Sequence, residues 1–475
     1  MKFPFAVAFA TGLALVSTLR ADFTNNQSAD LVLGQADFAS SGAATTQTGL
    51  NFVRDVAIDA ASGKVFVADY VNNRVLRYAS SASLANGAAA EAVFGQADFV
   101  SGGAGTAQNR MDQPTGVCVD SDGRLWVADQ DNNRVLRFEN AATKPSTAPA
   151  DGVLGQLLFS TNASAAGALG MNGPAGVAVD TGGTLWVADR TNNRVLRFDN
   201  AAVKLNGGPA DGVLGQPDFA TVTAATSDVK MSVPLKLAVS TTGVLWVAEQ
   251  NSRRVIRFDD AAAKANGAAA NGVLGQPDFN TNTAGLTAAK MSFATGVAVD
   301  SSGTVYASDY SNNRVLIFLN AAAKANGADA DKVLGQPDFV TGTATVSATG
   351  MEGPQGLGLD SAGRLYVSLS LQNRVTRYSP PKPVDNTPTI SVTGGNKKTT
   401  HKTSITLRGT ATSPAGILKV QYRINNKGTF KAAQGTSSWR LKINKLKLGT
   451  IKVNLVVVAT DGTAATRTIT VKRSP

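Results

Sequence analysis

A six-bladed β-propeller followed by a small β-sandwich, all-β throughout, is the fold that three features of the sequence predict. The chain repeats itself six times at a period of 60 residues, each repeat contains four short strand-like runs, and both repetition and charge change abruptly after residue 378.

The repetition comes first. LWVADQDNNRVLRFENA at 125–141 returns as LWVADRTNNRVLRFDNA at 185–201 and LWVAEQNSRRVIRFDDA at 245–261. The tetrad NNRV opens at Asn72, Asn132, Asn192, Ser252 (SRRV), Asn312 and Gln372 (QNRV). A second phrase, VLGQ, opens at Val32, Val93 (VFGQ), Val153, Val213, Val273 and Val333.

Each repeat reads as four strands. In the third they are GVAVD (176–180), TLWVAD (184–189), RVLRF (194–198) and GVLGQ (212–216), rich in Val and Leu and bounded by Gly, Asn and Asp. The first two are joined by a tight D-x-x-G turn, as at Asp120 and Gly123, with one extra residue between Asp59 and Gly63. VLGQ precedes the first complete unit and is missing after the last, so Leu31–Gln35 is expected to supply the outer strand of blade six and leave no open edge.

With these phrases recurring in order over roughly residues 30–378, the array resembles the NHL-repeat propellers. Among six-bladed propellers of that kind, the resemblance implies His for amidating and streptogramin lyase chemistry. The only His, His401, lies beyond the repeats, and a Ser-His-Asp set has no propeller His either. Lactonase-type relatives imply Ca²⁺ held by channel oxygen ligands. Here the Asp and Asn residues sit at turn positions, so no cofactor is expected and Ca²⁺ has no specific motif. A Ca-dependent lactonase-like hydrolase is the alternative to a binding role.

The flanks differ from the array. Residues 1–21 carry one Lys, one Arg, an apolar run from Phe3 to Val16 and a terminal Ala, the layout of a signal peptide, which predicts a secreted or periplasmic bacterial protein. No second apolar run is long enough to span a membrane. Cys118 is the single cysteine and takes the place of Ala178, so it is expected to be a small buried hydrophobe. A Pro-rich linker, 379–387, leads to 388–475, where alternating runs such as SWRLKIN are similar to bacterial immunoglobulin-like domains.

Charge separates the two parts. The formal net charge of +11 combines a mildly acidic 22–380 with a tail, 388–475, that holds sixteen Lys or Arg and one acid, Asp461. This asymmetry points to an anionic cell-surface or matrix polymer as partner of the sandwich. Specific nucleic-acid reading is not expected, because the basic runs lack exposed aromatics.

A residue type present in every blade solves a packing problem six times; function is expected where copies diverge. The strand-two aromatics from Phe66 to Tyr366 read as core, and the acid–Arg set represented by Asp129 and Arg134 reads as a structural ion pair. Where other blades open strand one with Gly, blade one has Arg54 and Asp55, and the opposite blade four has Lys236. Blade four also carries Glu249, Gln250 and Arg253, and Ser368 is read as replacing the strand-end acid of blade six. These seven are the candidate ligand-binding residues, on a face that engages a protein or glycan without catalysis. Returning Lys236 to Gly and Arg253 to Asn is expected to leave stability almost unchanged.

Overall fold

The computed structural model describes residues 23–381 and 386–475, in two compact units divided between 381 and 382. The signal-peptide reading of 1–21 and residues 382–385 of the linker lie outside the described residues.

The first unit is a ring of six antiparallel four-stranded sheets. From channel to rim, the first sheet contains Val53–Ile58, Lys64–Asp69, Arg74–Ser80 and Ala92–Phe94. In the sixth, the outer strand is Leu31–Leu33, antiparallel to Arg374–Tyr378 with Val32 opposite Thr376. Backbone hydrogen bonds therefore join the two ends of the ring, and its last sheet has no unpaired outer strand. LWVAD strands are buried on both faces because each blade is covered by two neighbours, and this produces continuous apolar runs rather than alternation. The core lies between blades: Phe66 and Phe94 of the first pack with Leu125, Leu136 and Phe138 of the second. Full burial of side chains of this size contributes roughly 1.5–3 kcal/mol each.

The repeated phrases are straps. Arg134 Nε lies 2.7 Å from Asp129 Oδ2 with both side chains fully buried, and its other nitrogens donate to the carbonyls of Thr106, Phe159 and Arg110. Burial pushes the Asp129 carboxyl up to about 6; Arg134 pulls against it most strongly, followed by hydrogen bonds from the Asp112 and Asn132 donors. Asn133 takes a left-handed φ of +50°, and its Oδ1 accepts the Gly173 N–H of the next blade at 2.8 Å. In VFGQ, Gly95 has φ +88° and a Cβ there would fall 2.8 Å from fully buried Met111. Gln96 Nε2 then donates to the carbonyls of Asn73 and Gly103 at 2.8 and 2.9 Å. The buried acid–Arg pair recurs in five of the six blades, blade six having Leu369 opposite Arg374, so these pairs are structural.

Cys118 departs from the sequence expectation. Its side chain is half-buried: it packs against the inter-blade cluster that contains Trp126 and Val177, yet it also borders the channel beside Val117, Val119 and Ala178.

The second unit is a sandwich. One sheet orders Thr389–Ile390, Ile405–Thr412 and Ser438–Ile443; the other orders Lys397–Thr400, Ala464–Arg473, Gly449–Ala459, Ile417–Ile424 and Lys427–Ala432. Trp439, Leu441 and Ile443 point into the shared core with Val420, Leu455 and Ile469, while Arg440 and Lys442 alternate outward.

Candidate ligand-binding site

The turns between strands two and three and the loops between blades meet on one face of the ring, around a cavity of about 270 Å³. Three positions of the repeat supply most of its lining. Just before strand one stand Phe52 and Phe293; inside strand one, Arg54, Thr115, Ala175, Leu235, Thr295 and Gln355; directly after strand two, Tyr70, Gln130, Arg190, Gln250 and Tyr310. Lys236 completes the lining from beneath, and no lining residue is Asp or Glu.

Arg54 is the organised cation of the mouth. Its guanidinium lies 4.8 Å from the Phe52 ring centroid and 4.5 Å from that of Tyr70, and donates to Gln355 Oε1 at 2.9 Å. Its buried Nε has no hydrogen-bond partner. Burial lowers its pKa most; the tyrosines oppose this and the Arg190 charge adds to it. The Tyr70 hydroxyl in turn donates to Gln113 Oε1.

Below the cavity, Lys236 reaches across the ring to Asp55, Nζ to Oδ2 at 3.0 Å, and also donates to the carbonyls of Thr115 and Ala175. Asp55 accepts the Val117 and Val56 N–H groups as well. Burial raises the Asp55 pKa and lowers that of Lys236, and each partner's charge opposes the other's shift. The pair stands between the mouth and an apolar channel walled by Val, Ile, Leu and Ala of strand one. Gly fits the other inner positions because the neighbouring backbone is so close: a Cβ on Gly176 would fall 2.3 Å from the Leu235 oxygen.

Of the seven residues singled out by sequence, Arg54, Lys236 and Gln250 line the cavity and Asp55 supports its floor. The other three do not face it. Glu249 is fully buried and bonded to Arg254, the longer acid being matched by the shorter Ser252 in place of Asn. Arg253 turns outward, donating to the Asn282 carbonyl at 2.7 Å with its charge 5.6 Å from the Phe293 ring. Ser368 is buried and its partner across the hairpin is Val375; the residue paired with Arg374, where other blades have the acid, is Leu369. The expectation that Lys236→Gly would be silent also fails, since Lys236 is the buried partner of Asp55.

The NHL repeat model matches residues 111–138, 171–198 and 291–318, each covering strands one to three of a blade. The ring carries NHL repeats in its second, third and fifth blades. No curated protein matches the chain significantly. Among solved structures, a streptogramin B lyase aligns at 10% identity over 72% of this chain and 95% of that one, TM-score 0.40. Virginiamycin B lyase from Staphylococcus aureus aligns at 12% over 68% and 79%, TM-score 0.38. The extracellular domain of a proposed hybrid two-component system from B. thetaiotaomicron aligns at 11% over 89% and 50%, TM-score 0.41. The propeller assignment here stands on the strand pairing itself.

Sequence reasoning missed Phe52, Tyr70, Arg190, Phe293 and Tyr310. Part of the signal was present: the position directly after strand two reads Tyr70, Gln130, Arg190, Gln250, Tyr310 and Ser370, four residue types in six copies of an otherwise closely repeated unit. Among the described residues, no three His, Cys, Asp or Glu side chains converge as a metal site.

Proposed function

We propose that this is an exported bacterial binding protein whose NHL propeller takes an acidic sugar residue of a glycan, without catalysis, in the cavity at its mouth. One observation carries the reading: Arg54, Arg190 and Lys236 line the cavity together with four aromatic rings, and no carboxylate lines it. Cations desolvated beside aromatic faces favour a charged group attached to a flat body, and Gln130, Gln250, Thr115 and Thr295 offer hydrogen bonds to hydroxyls. Asp55, the carboxylate closest beneath, is engaged by Lys236, so nothing favours the hydrolase alternative.

Titration calorimetry of the mature chain with glucuronate, galacturonate, N-acetylneuraminate and glucose tests this. At least one acidic sugar is expected to bind roughly tenfold or more tighter than glucose, as one charged hydrogen bond of about 1.5–3 kcal/mol implies. Arg190→Ala is expected to erase that preference. Equal affinity for neutral and acidic sugars, or no effect of Arg190→Ala, overturns the reading.

A further inference from the structure

The sandwich contains a second candidate site, independent of the mouth of the propeller. The strand Lys427–Ala432 is an edge of the five-stranded sheet, and Ser438–Ile443 is an edge of the three-stranded one. Between them opens a cleft of about 330 Å³. Lys427, Thr429 and Lys431 of the first strand line it; Lys427 pairs with Ile424 and Lys431 with Tyr422, with a bulge between them where Gly428 takes a φ of +72°. Arg423 and Lys442 complete the lining from neighbouring strands, beside Tyr422.

The charges there are unopposed. Among the described residues no carboxylate is ion-paired with any of the four cations. Among the described residues of this unit the acidic side chain is Asp461, on the turn beyond Ala459, opposite Ile417, whereas the cleft is at the Ile424 end of the same strand, roughly 20 Å away at the usual rise per residue. The Arg423 charge stacks 4.7 Å from the Phe430 ring, and its buried Nε has no hydrogen-bond partner.

We infer that this cleft is the docking site for a carboxylated linear polysaccharide; the inference rests on the reading of the basic sandwich as an anchor on an anionic polymer. Four cations lining one cleft match a chain bearing repeated carboxylates, and Thr429, Asn444 and the Tyr422 ring suit sugar hydroxyls and faces. Packed sheets are about 10 Å apart, so a nucleic-acid duplex does not enter between them. Single strands want a series of stacking platforms, and here Phe430 is already covered by Arg423.

The test compares two triple variants of the mature chain with the same loss of charge. Lys427→Gln, Lys431→Gln and Lys442→Gln empty the cleft; Lys397→Gln, Lys402→Gln and Lys472→Gln remove exposed cations from the region of the opposite edge of the sheet. The probes are polygalacturonate, neutral dextran and duplex DNA at several salt concentrations. The parent is expected to bind polygalacturonate and not dextran, with affinity falling as salt rises. The cleft triple is expected to lose at least tenfold and the edge triple less than threefold, while replacing the three cleft lysines by Arg keeps binding. Equal losses in both triples show diffuse attraction and overturn the site; DNA bound as tightly as polygalacturonate overturns the polysaccharide. Absence of salt-sensitive binding by the parent sinks the anchor reading itself. Monosaccharide titration of the propeller reports separately on the mouth.

Discussion

Lys236 of blade four and Asp55 of blade one, opposite one another in the ring, meet across the channel at 3.0 Å. Both are about 6% exposed, so each charge is desolvated and depends on the other. Removing one partner is expected to lower stability by about 3–5 kcal/mol, the usual effect of stranding a buried charge. Asp55→Gly with Lys236→Gly restores glycine at both positions, and its loss is expected to be well below the sum of the single losses. Chemical denaturation of the two singles and the double measures this coupling; additive losses reject the pair as the source of stability.

Arg253 takes a left-handed φ of +52° at a position where the other five blades have Asn. Asn tolerates that conformation better and supplies an oxygen for the N–H of the next blade, as Asn133 does for Gly173. Arg253→Asn is expected to stabilise the propeller by about 1 kcal/mol. A lower melting temperature for this variant would contradict the strap mechanism.

Blade six offers the reverse experiment. Arg374 is buried without the acid of its counterparts: Leu369 faces it, its Nε is unpartnered, and burial lowers its pKa. Leu369→Asp is expected to cost less than about 1 kcal/mol, because the new carboxylate meets a waiting guanidinium, whereas Val367→Asp should cost more than about 3 kcal/mol. Equal penalties at the two positions would mean that Arg374 gives no compensation.

Closure can be tested by truncation. Deleting residues 22–36 removes Leu31–Leu33 and bares Arg374–Tyr378, so a lower melting temperature and aggregation are expected. Deleting 388–475 is expected to leave the melting of the ring unchanged. Light scattering during a thermal ramp distinguishes the outcomes.

Acid sensitivity follows from the exposed turns after VLGQ. Backbone N–H groups of Thr221 and Ala220 hold the Asp218 carboxyl below its usual 3.8, and those of Asn280 and Thr281 do the same for Asp278. A depressed folded pKa gives stability that is present above the unfolded value and disappears as pH falls through the folded one. Below about pH 4 the melting temperature is therefore expected to change less favourably with falling pH in the parent than in the Asp218→Asn, Asp278→Asn variant, since the buried carboxyls with raised pKa are common to both.

Much of the scaffold was legible because it is written six times. Period, strand order and the origin of the last outer strand follow from where VLGQ stands, and the aromatic of strand two is core in each copy. The site was legible only in part. Lys236 and Asp55 stood out as departures, but their contact spans 181 residues and depends on ring geometry that no local pattern encodes. Arg190 and Tyr310 looked like ordinary turn residues, since their role comes from six turns converging on one axis. Ser368 was misplaced because SLS in blade six lacks the acid that marks the register elsewhere.

The straps that repeat and the side chains that line the mouth occupy different positions of the 60-residue unit. Copying a unit therefore copies its load of hydrogen bonds intact, while the residue after the strand-end acid and the one before the inner glycine stay free to diverge. On the proposed reading of the mouth, recognition would be combinatorial: a new specificity could be composed blade by blade from a few letters per copy, with the straps left untouched, while Asp55 and Lys236 have come to depend on each other.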